Sequence, residues 1–278
     1  MAKGGRTYYG DAVLPQGVTD ISKARQARII DGDIFGAHNV TDQVVDIRLL
    51  LPPLAPSHTG TLRCLGLNYA LHAKETGMPE PKFPILFYKP VTSLGAHGDS
   101  IPVAPIAQQG SGLDYECELV IVIGKRCAEV SEADALDYVM GYAVGNDVSH
   151  RDWQIKHGGG QWSLGKGFDG WAPYGPGIVS SSLIKDPQAL RIWTKLNGKT
   201  VQVSTSFSMH GPMVSVSHDA KSAIVTAGQQ HFGHDLQCPE DHRLPQPRRD
   251  SDAGRSHLYG NVSHEPPLPI PDCAVGND

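Results

Sequence analysis

The stretch that most restricts what this chain can fold into is DYECELVIVI, residues 114–123. Its uninterrupted apolar run, residues 119–123, reads as a strand. Successive side chains of a strand leave by opposite faces, so Glu116 and Glu118, two apart, share one face. A third acid, Asp147, closes a second apolar segment that begins at Tyr142. Three carboxylates on one surface repel one another unless a cation compensates, and an all-oxygen donor set suits magnesium, calcium or manganese better than zinc. Paired acids on a strand more often form a solvated face, but the apolar flanks on both sides favour the alternative, in which Glu116, Glu118 and Asp147 hold one such ion.

The rest of the composition narrows the classes that remain. With 278 residues, 40% of them hydrophobic, the chain can bury a real core as one large domain or one domain with an appendage. A formal charge of −5 gives no basic face for a phosphate backbone, so no nucleic-acid partner is expected. No apolar stretch approaches the roughly 20 residues that span a bilayer, and MAKGGRTYYG lacks the apolar core of a signal peptide. The expectation is a cytoplasmic protein with no membrane partner, a mitochondrial location being left open. The five cysteines, Cys64, Cys117, Cys127, Cys238 and Cys273, are odd in number and form no C-x-x-C pair, and so read as free thiols.

Along the chain, residues 6–9, 27–30 and 44–51 read as short strands separated by Gly and Asp turns, ahead of the Pro-rich joint LLPPLAPSHTG. From Thr61 a buried strand turns at Gly66 into a short helical pattern, where His72 and Glu75, three apart, share a face. A second strand, residues 85–88, is followed by Lys89 before Pro90, and His97 reads as an ordinary loop histidine. Asn197-Gly198 marks a hairpin turn.

The segments YECELVIVIGKRC, DYVMGYAVGNDVSHRDWQ and GKGFDGWAPYGP resemble the core of the fumarylacetoacetate hydrolase family. The likeness is greatest to its smaller members: acylpyruvate hydrolases, oxaloacetate decarboxylases or tautomerases, and hydratases or isomerases of aromatic catabolism. It covers about residues 8–202. It implies a β-rich α+β fold, a rolled mixed sheet around a Mg2+ (or Mn2+/Ca2+) site, with a small N-terminal module over residues 1–55 and a catalytic domain over 56–202. It also implies a small keto-acid substrate and a homodimer. His72 and Glu75 match a pair that orients and deprotonates a water. Lys166 matches a lysine that neutralises the substrate's oxyanion beside the metal. Arg151 and Gln154 match groups that hold the substrate's carboxylate or carbonyl, and Lys89 matches a lysine at the mouth of the site.

The likeness stops after about Gln202, where a Thr-Gly-Thr-Pro strand is due and is not found. Residues 203–278 are sparse in apolar side chains and rich in proline, and the expectation is an irregular C-terminal tail. The genetic code permits codons for residues 228–261 that, read one base later, spell the expected family segment. A retained intron over about residues 203–228 followed by a shifted frame accounts for that. The functional expectation is a metal-dependent enzyme acting on a 1,3-dicarbonyl or β-keto acid through an enolate. Hydrolysis, decarboxylation and tautomerisation all remain open. The alternative is a truncated, catalytically inactive relative or interaction protein.

Overall fold

A computed structural model describes residues 6–66, 83, 85–110, 112–205, 223–227 and 272–276. In chain order its strands begin with β1 (Tyr9–Val13), β2 (Gln26–Gly32), β3 (His38–Asp46), β4 (Thr61–Gly66) and β5 (Ile85–Lys89). There follow β6 (Leu94–Gly95), β7 (Leu113–Asp114), β8 (Cys117–Ile123), β9 (Val139–Asn146), β10 (Ser149–His150) and β11 (Ala172–Ser180). The last four are β12 (Arg191–Leu196), β13 (Lys199–Thr205), β14 (Ala223–Ala227) and β15 (Asp272–Gly276). A four-residue helix, α1 (Ser163–Lys166), and a single widened helical turn, Asp152–Lys156, sit between β10 and β11.

Seven strands form the main sheet in the order β5-β4-β14-β8-β9-β11-β6, with β14 parallel to β4, β6 parallel to β11, and the other pairs antiparallel. Its two edge strands, β5 and β6, are separated by only four residues. A flat sheet of seven strands would hold those edges roughly 29 Å apart at about 4.8 Å per gap. The chain from Lys89 to Leu94 spans at most about 18 Å at about 3.5 Å per residue. The sheet must therefore roll until its edges approach, and the fold is the β-rich, mixed-sheet one expected.

Rolling makes an inside and an outside, and β8 shows both. Val120 and Val122 point inward, where they meet Leu54, Leu62, Ala143, Ala172 and Tyr174. Cys117, Leu119 and Ile121 point outward against Tyr142, Leu190 and Ile192, beneath the three-stranded sheet β13-β12-β15. A strand covered on both faces has no polar side, which is why residues 119–123 run apolar without alternation. Each such fully buried aliphatic side chain stabilises the fold by about 1.5–3 kcal/mol.

The N-terminal strands form a separate antiparallel sheet, β1-β2-β3, with mostly exposed side chains. It docks through Tyr9, Ile34 and Phe35, which pack on the inner cluster of the roll. Two tyrosines fasten the Pro-rich joint: the Tyr9 hydroxyl accepts from the Ala55 N–H at 3.1 Å and bonds His58 Nδ1 at 2.7 Å, and the Tyr174 hydroxyl accepts from the Leu54 N–H at 2.8 Å. The expected hairpin joins β12 to β13, with Asn197 and Gly198 at φ values of 51° and 77°, both positive as a two-residue turn of this hand requires.

The expectation of irregular backbone after Gln202 is corrected at three places. β13 continues to Thr205, β14 lies between β4 and β8 in the main sheet, and β15 pairs with β12. The short apolar run AIVTA carries no polar alternation, and the lack of that signal made this segment read as tail.

Candidate active site

The site lies at one mouth of the roll, where β8 begins beside the end of β9. Glu116 precedes β8 and Asp147 follows β9, and the Asp147 N–H donates to the Glu116 carbonyl at 2.9 Å, which sets the two residues side by side. Glu118 follows on β8 with the inward parity of Val120. All three acids are buried, none more than 3% exposed. The expected shared face is therefore an interior, whereas most paired acids on a strand face water.

Lys166 enters from α1 and is itself fully buried. Its Nζ donates to both oxygens of Glu116 at 3.1 Å, to Asp147 Oδ2 at 2.8 Å and to Ser149 Oγ at 2.7 Å, and it lies 4.9 Å from the centre of the Phe87 ring. The helix comes this close because of a neighbouring glycine: a Cβ on Gly165 would stand 2.5 Å from the Gln154 backbone nitrogen. Gly66, at the end of β4, is similarly needed, since a Cβ there would stand 2.4 Å from the Trp162 ring.

Arg151 forms the next layer. Its Nε and one terminal nitrogen donate to Asp114 Oδ2 at 2.8 and 2.6 Å, and the other terminal nitrogen reaches Glu116 Oε1 and Gln154 Oε1, the latter at 2.9 Å. Gln154 is buried, and its Nε2 has no hydrogen-bond partner among the described residues. A buried amide N–H without an acceptor destabilises the fold, so this donor is suited to an incoming carbonyl or carboxylate.

Lys89 is not at an exposed rim of the site, where the family resemblance put it, but buried against Asp147. It is 2% exposed, and its Nζ meets Asp147 Oδ1 at 2.7 Å and the carbonyls of Val148 and Trp171 at 2.9 Å. On β5 it pairs with the inward-facing Leu62, so its side chain crosses the interior of the roll. His72 and Glu75 lie outside the described residues. His97 is an exposed loop residue. Two contributors escaped the sequence reading: Asp114, the acid two residues before Glu116, and Ser149, whose hydroxyl also lies 3.2 Å from Glu116 Oε1. Only the even spacing of Asp114 from Glu116 and Glu118 could have signalled the first.

Electrostatics follow from burial and partners. Burial pushes the Glu116 carboxyl above its ordinary value even with Lys166 and Arg151 against it. Burial also opposes ionisation of Asp147, but Lys166 and Lys89 outweigh it and hold that carboxyl below the usual range. For Lys166, burial is outweighed by Asp147 and Glu116, and the ammonium is held above the ordinary lysine value. Burial wins at Lys89, which is pushed down despite Asp147.

The donor set fits a hard dication in chemistry: three buried carboxylates, one of them still raised by burial despite two cations. The carboxylates are not gathered around one point, however. Among the described residues no three metal-ligating side chains form a ready cluster, and the Lys166 ammonium spans Glu116 and Asp147.

Residues 61–228 match the family described as fumarylacetoacetate (FAA) hydrolase C-terminal. The chain belongs to the fumarylacetoacetate hydrolase family. The match covers β4 to β14, so it reaches past residue 202, where the sequence likeness had been expected to end. Among curated relatives, the fumarylacetoacetate hydrolase domain-containing protein 2 homolog of Dictyostelium discoideum is 48% identical over 160 residues, 55% of this chain and 52% of that protein. The chain thus spans about half the length of the curated relatives it matches. The structure of 2-hydroxyhepta-2,4-diene-1,7-dioate isomerase from Mycobacterium marinum superposes with a TM-score of 0.58 at 32% identity, covering 74% of this chain and 77% of that one. Fumarylacetoacetate hydrolase from Exiguobacterium antarcticum gives a TM-score of 0.55 at 31% identity over 69% and 68% of the two chains. No helix among the described residues is long and apolar enough to cross a membrane.

Proposed function

We propose that the chain is a metal-dependent enzyme acting on a 1,3-dicarbonyl or β-keto acid through an enolate, by C–C hydrolysis, decarboxylation or tautomerisation. The observation that carries this reading is the Lys166 ammonium, buried and held between Glu116 and Asp147 at one mouth of the roll. A magnesium, manganese or calcium ion held by Glu116, Glu118 and Asp147 would supply a Lewis acid for adjacent substrate oxygens. Lys166 offers a preorganised positive charge where an enolate oxygen develops, and burial in a low-dielectric site strengthens that interaction. Gln154 Nε2 supplies a donor to the substrate's carbonyl or carboxylate, and Arg151, fixed by Asp114, orients Gln154 through its Oε1. Under the family resemblance His72 and Glu75 would activate the water that only hydrolysis needs. The relatives whose names are hydrolase and isomerase differ in outcome while sharing this fold, which suits a common enolate.

The test is a panel of acylpyruvates and oxaloacetate assayed with Mg2+, after chelation, and after Mg2+ is restored. Turnover of at least one class that vanishes on chelation and returns with the ion supports the reading. A folded chain that turns over none of them is instead the catalytically inactive relative.

A further inference from the structure

Lys89 is a buried cation that the proposed chemistry does not use. Its Nζ faces four acceptors: Asp147 Oδ1 and the carbonyls of Val148, Lys166 and Trp171. These belong to three separate pieces of chain: the turn after β9, the end of α1, and the residue before β11. Two of the contacts close a ring. Lys89 holds Asp147 Oδ1 at 2.7 Å, Lys166 holds Asp147 Oδ2 at 2.8 Å, and the Lys166 carbonyl accepts from Lys89 in return. With an ammonium beside each oxygen, one as an ion pair and one as a hydrogen bond, the Asp147 carboxylate is held between two cations. With its carbonyl anchored, the end of α1 cannot slide and carry the Lys166 ammonium away.

We propose that Lys89 is a positioning residue that fixes the Asp147 carboxylate and the end of α1, so that the Lys166 ammonium is held at the centre of the site. This rests on reading Lys166 and Asp147 as site residues. An ammonium suits the task because it donates in three directions from one point, whereas guanidinium is a planar fork. The surroundings enforce the choice. The cavity beside it, lined by Leu62, Lys89, Leu94, Val120 and Asp147 among others, is about 10 Å3, barely room for one water. A guanidinium at residue 89 must shift its neighbours, and Met leaves three carbonyls without their donor and Asp147 without one of its two cations.

The test reads the ammonium groups directly by 1H–15N NMR of the 15N-lysine-labelled chain, without substrate or divalent ion, so its result is independent of whether the enzymatic reading holds. The wild-type chain is expected to show two slowly exchanging buried ammonium signals, with the second identified by its loss in Lys166→Arg. In Lys89→Arg the Lys166 signal should move or exchange away while near-UV circular dichroism stays that of a folded protein. Wherever turnover is found, kcat should fall by roughly 100-fold, the scale of a misplacement of about 1 Å, with KM little changed. An unmoved Lys166 signal in folded Lys89→Arg overturns the proposal. If neither Lys89→Arg nor Lys89→Met folds, the wild-type spectrum decides: a single slow ammonium signal overturns the proposal, and two support it.

Discussion

The N-terminal sheet and the mouth of the roll each contain an ion pair of similar geometry in a different setting. Arg28 meets Asp11 at 3.0 Å with both side chains nearly half exposed, while Lys166 meets Asp147 at 2.8 Å with both at 1% or less. Distance does not separate them; water does. The exposed pair is screened and contributes about 0–1 kcal/mol. The buried partners have each surrendered their hydration, so either one left alone is an uncompensated charge in the interior. Keeping Glu116, Asp147, Lys89 and Lys166 together under that penalty is what the proposed enzymatic reading predicts of its site.

The contrast breaks most sharply at Asp147. Asp147→Ala leaves two buried ammonium groups facing each other, and we expect about 3–5 kcal/mol of lost stability in urea melts together with loss of metal-dependent turnover. Lys166→Met comes next. Arg151 still reaches Glu116, so the stability loss should be nearer about 3 kcal/mol, with kcat lowered by roughly 100- to 1,000-fold as for other removed oxyanion donors.

A smaller effect should appear in the dependence of melting temperature on pH. The Asp147 carboxyl is held low by Lys166 and Lys89 against burial, so its stabilisation is present above the ordinary carboxylate range and is lost as pH falls through its depressed value. Lys166 is held high, so its stabilisation is present below the ordinary lysine range and is lost only as pH rises through its raised value. Glu116, raised by burial, acts in the opposite sense to Asp147: its contribution is present at acid pH and fades as pH rises through its raised value. The melting temperature should therefore fall on the acid limb below about pH 4, and Lys166→Met should make that limb shallower. Arg28→Ala anchors the small end of the series. It should change stability by no more than about 0.5 kcal/mol and leave kcat unchanged, because its partner keeps its water.

How far the sequence could reveal this varies residue by residue. Glu116 and Glu118 were legible because a period of two puts both on one face of any strand, and Asn197-Gly198 because its turn needs positive φ at both positions. Lys89 was not: a lysine before a proline at a strand end has the local signature of a surface residue, and only the rolling of the sheet turns it inward. The Arg151–Asp114 pair was equally invisible, since it joins positions 37 residues apart through tertiary contact. β14 was missed because a short apolar run in a polar, proline-rich neighbourhood gives no periodic signal, and its place depends on the vacant edges of β4 and β8. His72 and Glu75 lie outside the described residues.

The most direct measurement is a titration of the chain with Mn2+, following the free ion by electron paramagnetic resonance, for wild type beside Asp147→Asn and Arg28→Ala. We expect one saturable site per chain in wild type and in Arg28→Ala, and none in Asp147→Asn. Equal binding in all three proteins, or none in folded wild type, would contradict a metal centre built on the buried carboxylates.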